Sequence, residues 1–142
     1  MLEEFGKKYH SALYLVFRVI VGLMFAMHGM QKLGWLGALS PGSPARFATI
    51  LSLPLWLVYF VSIVELLAGI AIALGIFARI AALIGGVDMI VALIIVHFPK
   101  NIWPIINGGE LAMLYLMAFF VIFAFGTGKF SLGKELFKKE LW

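Results

Sequence analysis

Four long apolar stretches alternate with short polar segments along the chain, at residues 13–30, 55–76, 80–96 and 110–125. A membrane-spanning helix needs ~20 mostly apolar residues to cross ~30 Å of hydrocarbon. The last two stretches are slightly shorter, and Phe98 and the FGTG segment extend them. The pattern predicts an all-α fold, an integral membrane four-helix bundle, formed as a single domain over residues 1–142.

The polar segments between the apolar stretches differ in length. Little more than Phe77–Arg79 separates the second stretch from the third, which predicts a tight helical hairpin. In the long first connection, Ser43 followed by Pro44 is typical of a helix N-cap and first helical position. We therefore expect a short interfacial helix over residues 44–53. The third connection, PKNIWPIINGG, is rich in proline and glycine and is expected to be rigid and non-helical.

Basic residues are divided unequally between the two sides that this arrangement creates. Three lie on one side: Lys32, Arg46 and Lys100. Seven lie on the side of the termini and the hairpin turn: Lys7, Lys8, Arg79, Lys129, Lys134, Lys138 and Lys139. Because cytoplasmic loops carry the excess of lysine and arginine, both termini are predicted to be cytoplasmic and the protein to be a multi-pass protein of the cell membrane.

The C-terminal segment SLGKELFKKELW combines lysines with a small apolar face. Leu132, Leu136 and Phe137 lie near one side of an ideal helix, and the lysines lie elsewhere. A basic amphipathic helix of this kind binds the surface of a membrane. We expect such a helix here, with a solvated tail as the alternative.

Composition excludes a soluble enzyme. Hydrophobic residues make up 63% of the 142 residues and charged residues 13%, whereas soluble domains contain roughly 45–50% apolar and ~25% charged residues. A small soluble domain cannot bury that much apolar surface in one core. The net charge of +4 comes from basic residues at the ends and in loops, which favours contact with the lipid bilayer over binding of nucleic acid.

Cysteine is absent from the chain. Disulfides, thiolate metal sites, iron–sulfur clusters and a dithiol redox cycle are therefore excluded for this chain. The sequence also contains no metal-binding or flavin motif, so it predicts no electron carrier of its own.

Three ionisable residues interrupt the predicted spans far from their ends: Arg18, Glu65 and Asp88. A charge in hydrocarbon costs ~2.5–3.5 kcal/mol, so each needs a partner. Small residues share the face of each acidic group within about 60° on an ideal helix: Ser62 and Gly69 beside Glu65, and Ala81, Gly85 and Ala92 beside Asp88. Small residues allow close helix contact, so these faces are expected to point into the bundle.

We expect a buried charge network in which Arg18 pairs with Glu65 and Asp88 is attached. Two plainer interpretations stay open. The Arg18–Glu65 pair would then only fix helix packing, or Asp88 would be an uncharged side chain bonded to the backbone.

A second polar layer is predicted near the membrane interface on the side opposite the termini: His28, Lys32, His97, Lys100, Asn107 and Glu110. His28 and Lys32 share one helix face, and Glu110 lies in the first turn of the fourth helix, where the helix dipole favours a carboxylate. With Asn107, and roofed by Trp35 and Trp103, these residues are candidates to bind a quinone or lipid headgroup. The alternative is an interfacial salt-bridge cluster without a ligand.

His97 lies about 180° from Asp88 on an ideal helix, unless the helix unwinds before Pro99. That angle turns His97 away from the bundle. A haem held between His28 and His97 is therefore not favoured.

Taken in order along the chain, four segments resemble the DoxX family of small four-helix membrane proteins: RVIVGLMFAMHGMQKLGWLG, VELLAGIAIALGIFARIAAL, INGGE and GTGKFSL. The broader family includes the DoxD subunits of thiosulfate:quinone oxidoreductase, receptor chaperones of animals, and bacterial members of redox-stress complexes. The resemblance implies a quinone-linked redox role, with quinone as the cofactor. The DoxA-like partner domain of that enzyme has no counterpart in this sequence.

Two functions from different classes remain at this point. In the first, the protein is a membrane subunit that holds a quinone and works with a separate electron-donating partner, with no catalytic residue yet identified. In the second, it is a non-catalytic scaffold, assembly factor or chaperone whose buried charges stabilise its own fold or bind a partner helix. A second protein and a second copy of this chain are both open as partners.

Overall fold

The computed structural model describes residues 2–138, and these residues form helices and turns without a β-strand. Seven α-helices follow one another: α1 (Leu2–Leu33), α2 (Pro44–Leu51), α3 (Leu55–Leu74), α4 (Ala78–Ala92), α5 (Pro104–Asn107), α6 (Glu110–Phe125) and α7 (Leu132–Phe137). A 3₁₀ turn covers Gly37–Leu39, and a π-helical turn, Leu93–His97, continues α4. The all-α prediction is confirmed for the described residues.

Three of these helices are long and apolar enough to cross a membrane: residues 3–33 of α1, all of α3, and α4 with its π-helical turn. The fourth apolar helix, α6, has 16 residues and is shorter than a usual span. Its crossing of the membrane therefore stays a prediction, as do the four-helix membrane bundle and the cytoplasmic location of both termini.

Helices α1 and α3 pack closely because glycines face each other where they cross. A Cβ atom on Gly69 would lie within 3 Å of the backbone of Ala26 and Gly22, and a Cβ on Gly29 would meet the backbone of Ser62. The order of these contacts makes the two helices antiparallel. The prediction that Ser62 and Gly69 face into the bundle is confirmed.

The small face of α4 packs against aromatic rings of α6. A Cβ atom on Gly85 would lie 2.8 Å from the ring of Phe119. Phe119 is 1% exposed and contacts Phe25 of α1, with the ring centroids 4.8 Å apart. This part of the core joins α1, α4 and α6.

Arg18 binds backbone carbonyls and not Glu65. The side chain is 1% exposed. One guanidinium nitrogen donates to the Ile72 carbonyl at 2.5 Å and another to the Phe130 carbonyl at 3.0 Å. The predicted Arg18–Glu65 pair is therefore wrong. Ile72 lies in the last turn of α3, where carbonyls favour a cation, and Glu65 lies about 10 Å further along the helix.

The loops agree with the sequence in most places. The α3–α4 turn is tight, with Gly75 in the left-handed region at φ 71°. Ser43 caps α2 by accepting a hydrogen bond from the Arg46 backbone nitrogen at 3.2 Å. The third connection was expected to be non-helical, but it contains α5, a single turn that begins at Pro104 because proline is pre-organised for the first helical position.

The C-terminal helix forms over Leu132–Phe137, and the Ser131 side chain accepts a hydrogen bond from the Lys134 backbone nitrogen. The end of the predicted amphipathic helix, including Lys139, lies outside the described residues. Its binding to a membrane surface stays a prediction.

Candidate functional site

A cavity of about 400 Å³ lies between the helices at the end of the bundle opposite the α3–α4 turn. Its volume falls in the range of small-molecule pockets, roughly 300–1,000 Å³. Most of its walls are apolar. The polar or ionisable side chains that line it are His28, Gln31, Lys32, Glu65, Asp88, His97, Lys100 and Tyr115.

The cavity is deep because α3 lines it over more than two turns, as α4 and its π-helical turn do together. On α3 the lining extends from Leu57 to Glu65, a rise of about 12 Å. Phe47 and Leu51 of α2 also line the cavity, so the short interfacial helix forms part of its wall.

Lys32 and Glu65 form an ion pair inside this cavity. Lys32 Nζ lies 2.5 Å from Glu65 Oε1, and their side chains are 17% and 3% exposed. The pair joins α1 to α3. It also connects Glu65 with the second polar layer, although the sequence analysis placed Glu65 far from the ends of its span. The connection is possible because the long Lys32 side chain reaches along the helix to the Glu65 carboxylate.

Asp88 of α4 lines the same cavity as Lys32 and Glu65, and its side chain is half-buried. Asp88 and Glu65, which were predicted to share one charge network, thus line the same cavity. The cation of that network is Lys32 and not Arg18.

Three buried oxygen atoms of residues that line the cavity have no hydrogen-bond partner among the described residues: Glu65 Oε2, Asp88 Oδ2 and Tyr115 Oη. Buried polar groups in native proteins are nearly always hydrogen-bonded, so three exceptions around one cavity point to a missing partner. The ring of Tyr115 also contacts His28 edge to face, with the centroids 5.6 Å apart.

His97 reaches the cavity because the end of α4 is not an α-helix. The Phe98 backbone nitrogen donates to the Leu93 carbonyl at 2.8 Å, five residues back, which defines a π-helical turn. This wider turn changes the direction of His97, so the ideal-helix expectation that His97 faces away is wrong. Such turns occur frequently at functional sites.

The hydrogen bonds of His97 set its tautomer. Its Nδ1 lies 3.2 Å from the Asn107 carbonyl oxygen. A carbonyl can only accept, so Nδ1 carries a hydrogen and donates it. In the neutral imidazole, Nε2 is then the free acceptor.

The structure brings together only half of the predicted ligand-binding residues. His28 and Lys32 line the cavity, whereas Asn107 and Glu110 do not. Asn107 is buried and binds its own loop, donating to the Asn101 carbonyl and accepting from the Gly109 nitrogen. Glu110 is exposed at the start of α6.

The predicted aromatic roof is also absent from the cavity. Trp35 and Trp103 are each 65% exposed and lie outside its lining. Sequence reasoning missed Tyr115 altogether. One signal could have revealed it, because Tyr115 is the one polar side chain between residues 111 and 125.

Comparison with known proteins gives a consistent result. The sequence pattern of the DoxX family matches residues 13–98. The chain is 33% identical over 137 residues to an uncharacterized protein of Haemophilus influenzae, covering 94% of this chain and 97% of that protein. It is 26% identical over 125 residues to the Bacillus subtilis protein named "Putative oxidoreductase CatD", covering 87% of each. No solved structure matches the chain significantly.

The family match covers more than half of the chain, including the helices that carry His28, Lys32, Glu65 and Asp88. The Haemophilus relative extends the similarity over nearly the whole length. Together with three helices able to cross a membrane, these matches show that the chain belongs to the DoxX family of membrane proteins.

Proposed function

We propose that this protein is a multi-pass cell-membrane subunit that binds a quinone in the cavity and serves a quinone-linked redox reaction with a separate partner. One observation carries the proposal. An apolar cavity is lined by the partly buried Lys32–Glu65 ion pair and by residues of three helices whose buried oxygens have no hydrogen-bond partner in the described part of the chain.

The chemistry of the cavity suits a quinone headgroup. A quinone is a flat, largely apolar ring with two carbonyl oxygens that accept hydrogen bonds. Lys32 and His28 carry nitrogen donors on the cavity wall, and apolar side chains supply the rest of the surface. Sites of this kind combine apolar walls with a few well-placed polar groups.

The cavity also lies next to the lipid-facing surface. Its lining includes Val91, Ile95 and Leu111, which are 43%, 52% and 43% exposed on the outside of the bundle. An isoprenoid tail therefore has a short route from the cavity to the surrounding acyl chains.

The names of relatives also support a redox role. The Bacillus subtilis relative is named as an oxidoreductase, and the family resemblance includes subunits of thiosulfate:quinone oxidoreductase. The chain contains no cysteine, so a dithiol within it cannot supply electrons. The proposal therefore requires an electron-donating partner.

The structure gives the scaffold alternative one specific observation. The Lys32–Glu65 pair connects α1 with α3, and a pair in this position also stabilises a bundle that binds nothing. Under this alternative, changes in the cavity lower stability and there is no ligand to lose.

Titration of the purified protein with decylubiquinone separates the two functions. The proposal predicts saturable binding, weakened about tenfold by His28→Ala through loss of a hydrogen bond worth roughly 1–1.5 kcal/mol. Glu110→Gln is the matched control because Glu110 is exposed and lies outside the cavity. Its affinity should equal that of the wild type, and both variants should keep the wild-type melting temperature.

Absence of saturable binding would exclude the quinone proposal. Equal affinity in the wild type and in His28→Ala would contradict a hydrogen bond from His28 to the quinone. A lowered melting temperature in His28→Ala without any binding in the wild type would support the scaffold.

A further inference from the structure

The two carboxyl groups that line the cavity are not each matched by an ion pair. Glu65 and Asp88 contribute two carboxyl groups, and one cation, Lys32, lies within salt-bridge distance of Glu65. In the part of the chain that the structure describes, no cationic nitrogen lies within 4.0 Å of Asp88. With both carboxyl groups ionised, the interior would hold an excess negative charge.

Other ionisable groups face the pair without neutralising it. His28 of α1 and His97 of the π-helical turn line the cavity, but neither forms an ion pair within the described range. His97 is bonded to the Asn107 carbonyl. Lys100 is exposed, and Tyr115 of α6 contributes a hydroxyl whose oxygen has no hydrogen-bond partner within residues 2–138.

An isolated buried charge is costly enough that the group neutralises itself by exchanging a proton. Two carboxyl groups that share a site also titrate as a pair rather than independently. We propose that Glu65 and Asp88 hold one exchangeable proton between them at neutral pH, with Lys32 as their shared counter-cation.

The location of the proton follows from the contacts. Glu65 Oε1 accepts from Lys32, so the ionised form is stabilised on Glu65 and the proton lies mainly on Asp88. Asp88 Oδ2 has no acceptor nearby in the described protein. A protonated Asp88 therefore carries an O–H donor that has no acceptor among the described residues.

This donor indicates how the proposed quinone would bind, and this assignment rests on the proposed function. A neutral ligand with a carbonyl oxygen completes the hydrogen bond that Asp88 lacks, whereas a carboxylate or phosphate ligand would lie beside the negative charge of Glu65. The structure therefore favours the oxidised quinone, bound through a carbonyl oxygen to the Asp88 O–H.

Infrared spectroscopy of the purified full-length protein, depleted of quinone, tests the shared proton directly. We expect one protonated carboxyl C=O band per chain at neutral pH, shifted in D₂O and lost as the pH rises. The other described acidic residues, Glu3, Glu4, Glu110 and Glu135, are exposed and lie outside the cavity. Glu110→Gln is the matched control and should leave the band unchanged.

The variants distinguish a shared proton from an isolated protonated residue. Because Lys32 can balance one carboxylate, both Glu65→Gln and Asp88→Asn should abolish the band. Lys32→Met should roughly double it, since no cation then remains. A band that survives Glu65→Gln, or a wild-type spectrum without a protonated carboxyl at neutral pH, would overturn the inference.

The hydrogen bond from Asp88 to the quinone is tested by a separate measurement, the pH dependence of quinone affinity. Decylubiquinone affinity should fall in the wild type over the pH range in which the band disappears, and should stay constant in Asp88→Asn, whose amide keeps a donor. Constant affinity in the wild type would overturn the assignment of Asp88 as the donor. If the band is present and no quinone binds, the shared proton stands and the proposed function fails.

Discussion

Lys32 and Arg18 lie on the same face of α1, yet they bind different parts of α3. Arg18 binds the Ile72 carbonyl in the last turn of α3, and Lys32 reaches Glu65 in its middle. Helical angles place both cations on the correct side, but they do not give the relative height of two antiparallel helices. That height is fixed by the glycine contacts of α1 with α3, which the sequence alone does not reveal.

At the residue scale, Lys32→Met should destabilise the protein strongly at neutral pH. The change leaves Glu65 and Asp88 without a counter-cation, and breaking a buried pair typically costs about 3–5 kcal/mol. Thermal unfolding in detergent measures the loss. Adding Glu65→Leu should restore most of the stability, because one carboxyl group alone is readily protonated.

The same variant has a defined pH dependence. Acidification supplies the protons that the two carboxyl groups of Lys32→Met require, so its deficit relative to the wild type should shrink as the pH falls. A stability deficit that stays constant with pH would contradict a stabilising Lys32–Glu65 pair. A double variant whose loss of stability equals the sum of the two single losses would contradict it as well.

At the scale of elements, the sequence predicts most helices and turns from local chemistry. Ser43–Pro44 predicts α2, and the short polar break before Ala78 predicts the hairpin. The π-helical turn could not be predicted, because it depends on packing at the end of α4. This one turn decides whether His97 faces the cavity, so the site was harder to predict than the fold.

The α1–α3 contact gives a prediction with a matched control. Gly69→Ala should destabilise the protein by roughly 1–3 kcal/mol, since its Cβ would overlap the backbone of α1. Gly6→Ala makes the same chemical change in an exposed part of α1 with nothing within 4 Å. It should be neutral or stabilise by roughly 0.5–1 kcal/mol, because alanine favours a helix.

Thermal unfolding of both variants provides the comparison. If Gly69→Ala unfolds at the same temperature as Gly6→Ala, the close crossing of α1 and α3 is not present in the membrane protein.

At the scale of the whole molecule, the four apolar stretches and the composition predict an all-α membrane protein. The candidate site is only partly predictable, because it combines α1, α3, α4 and α6 across long sequence separations. His28 and Lys32 were found because they share one helix. Tyr115 was missed and Glu110 was included because nothing in a single sequence shows which face of α6 meets the cavity.

The orientation of the molecule has a direct test, since the chain contains no cysteine. Single cysteines replace the exposed residues Lys7 and Ala38, and intact cells are treated with a membrane-impermeant maleimide. Ala38→Cys should be labelled at once and Lys7→Cys only after permeabilisation. The reverse pattern would place the N-terminus outside the cytoplasm.

The central claim is that the cavity binds a quinone, and the amount of quinone that purifies with the protein tests it most directly. Mass spectrometry of the extracted lipids should show about one quinone per chain in the wild type and in Glu110→Gln, as expected for a single site with slow release. His28→Ala should contain much less. A quinone content no greater than that of the bulk membrane lipid, equal in all three proteins, would contradict the account.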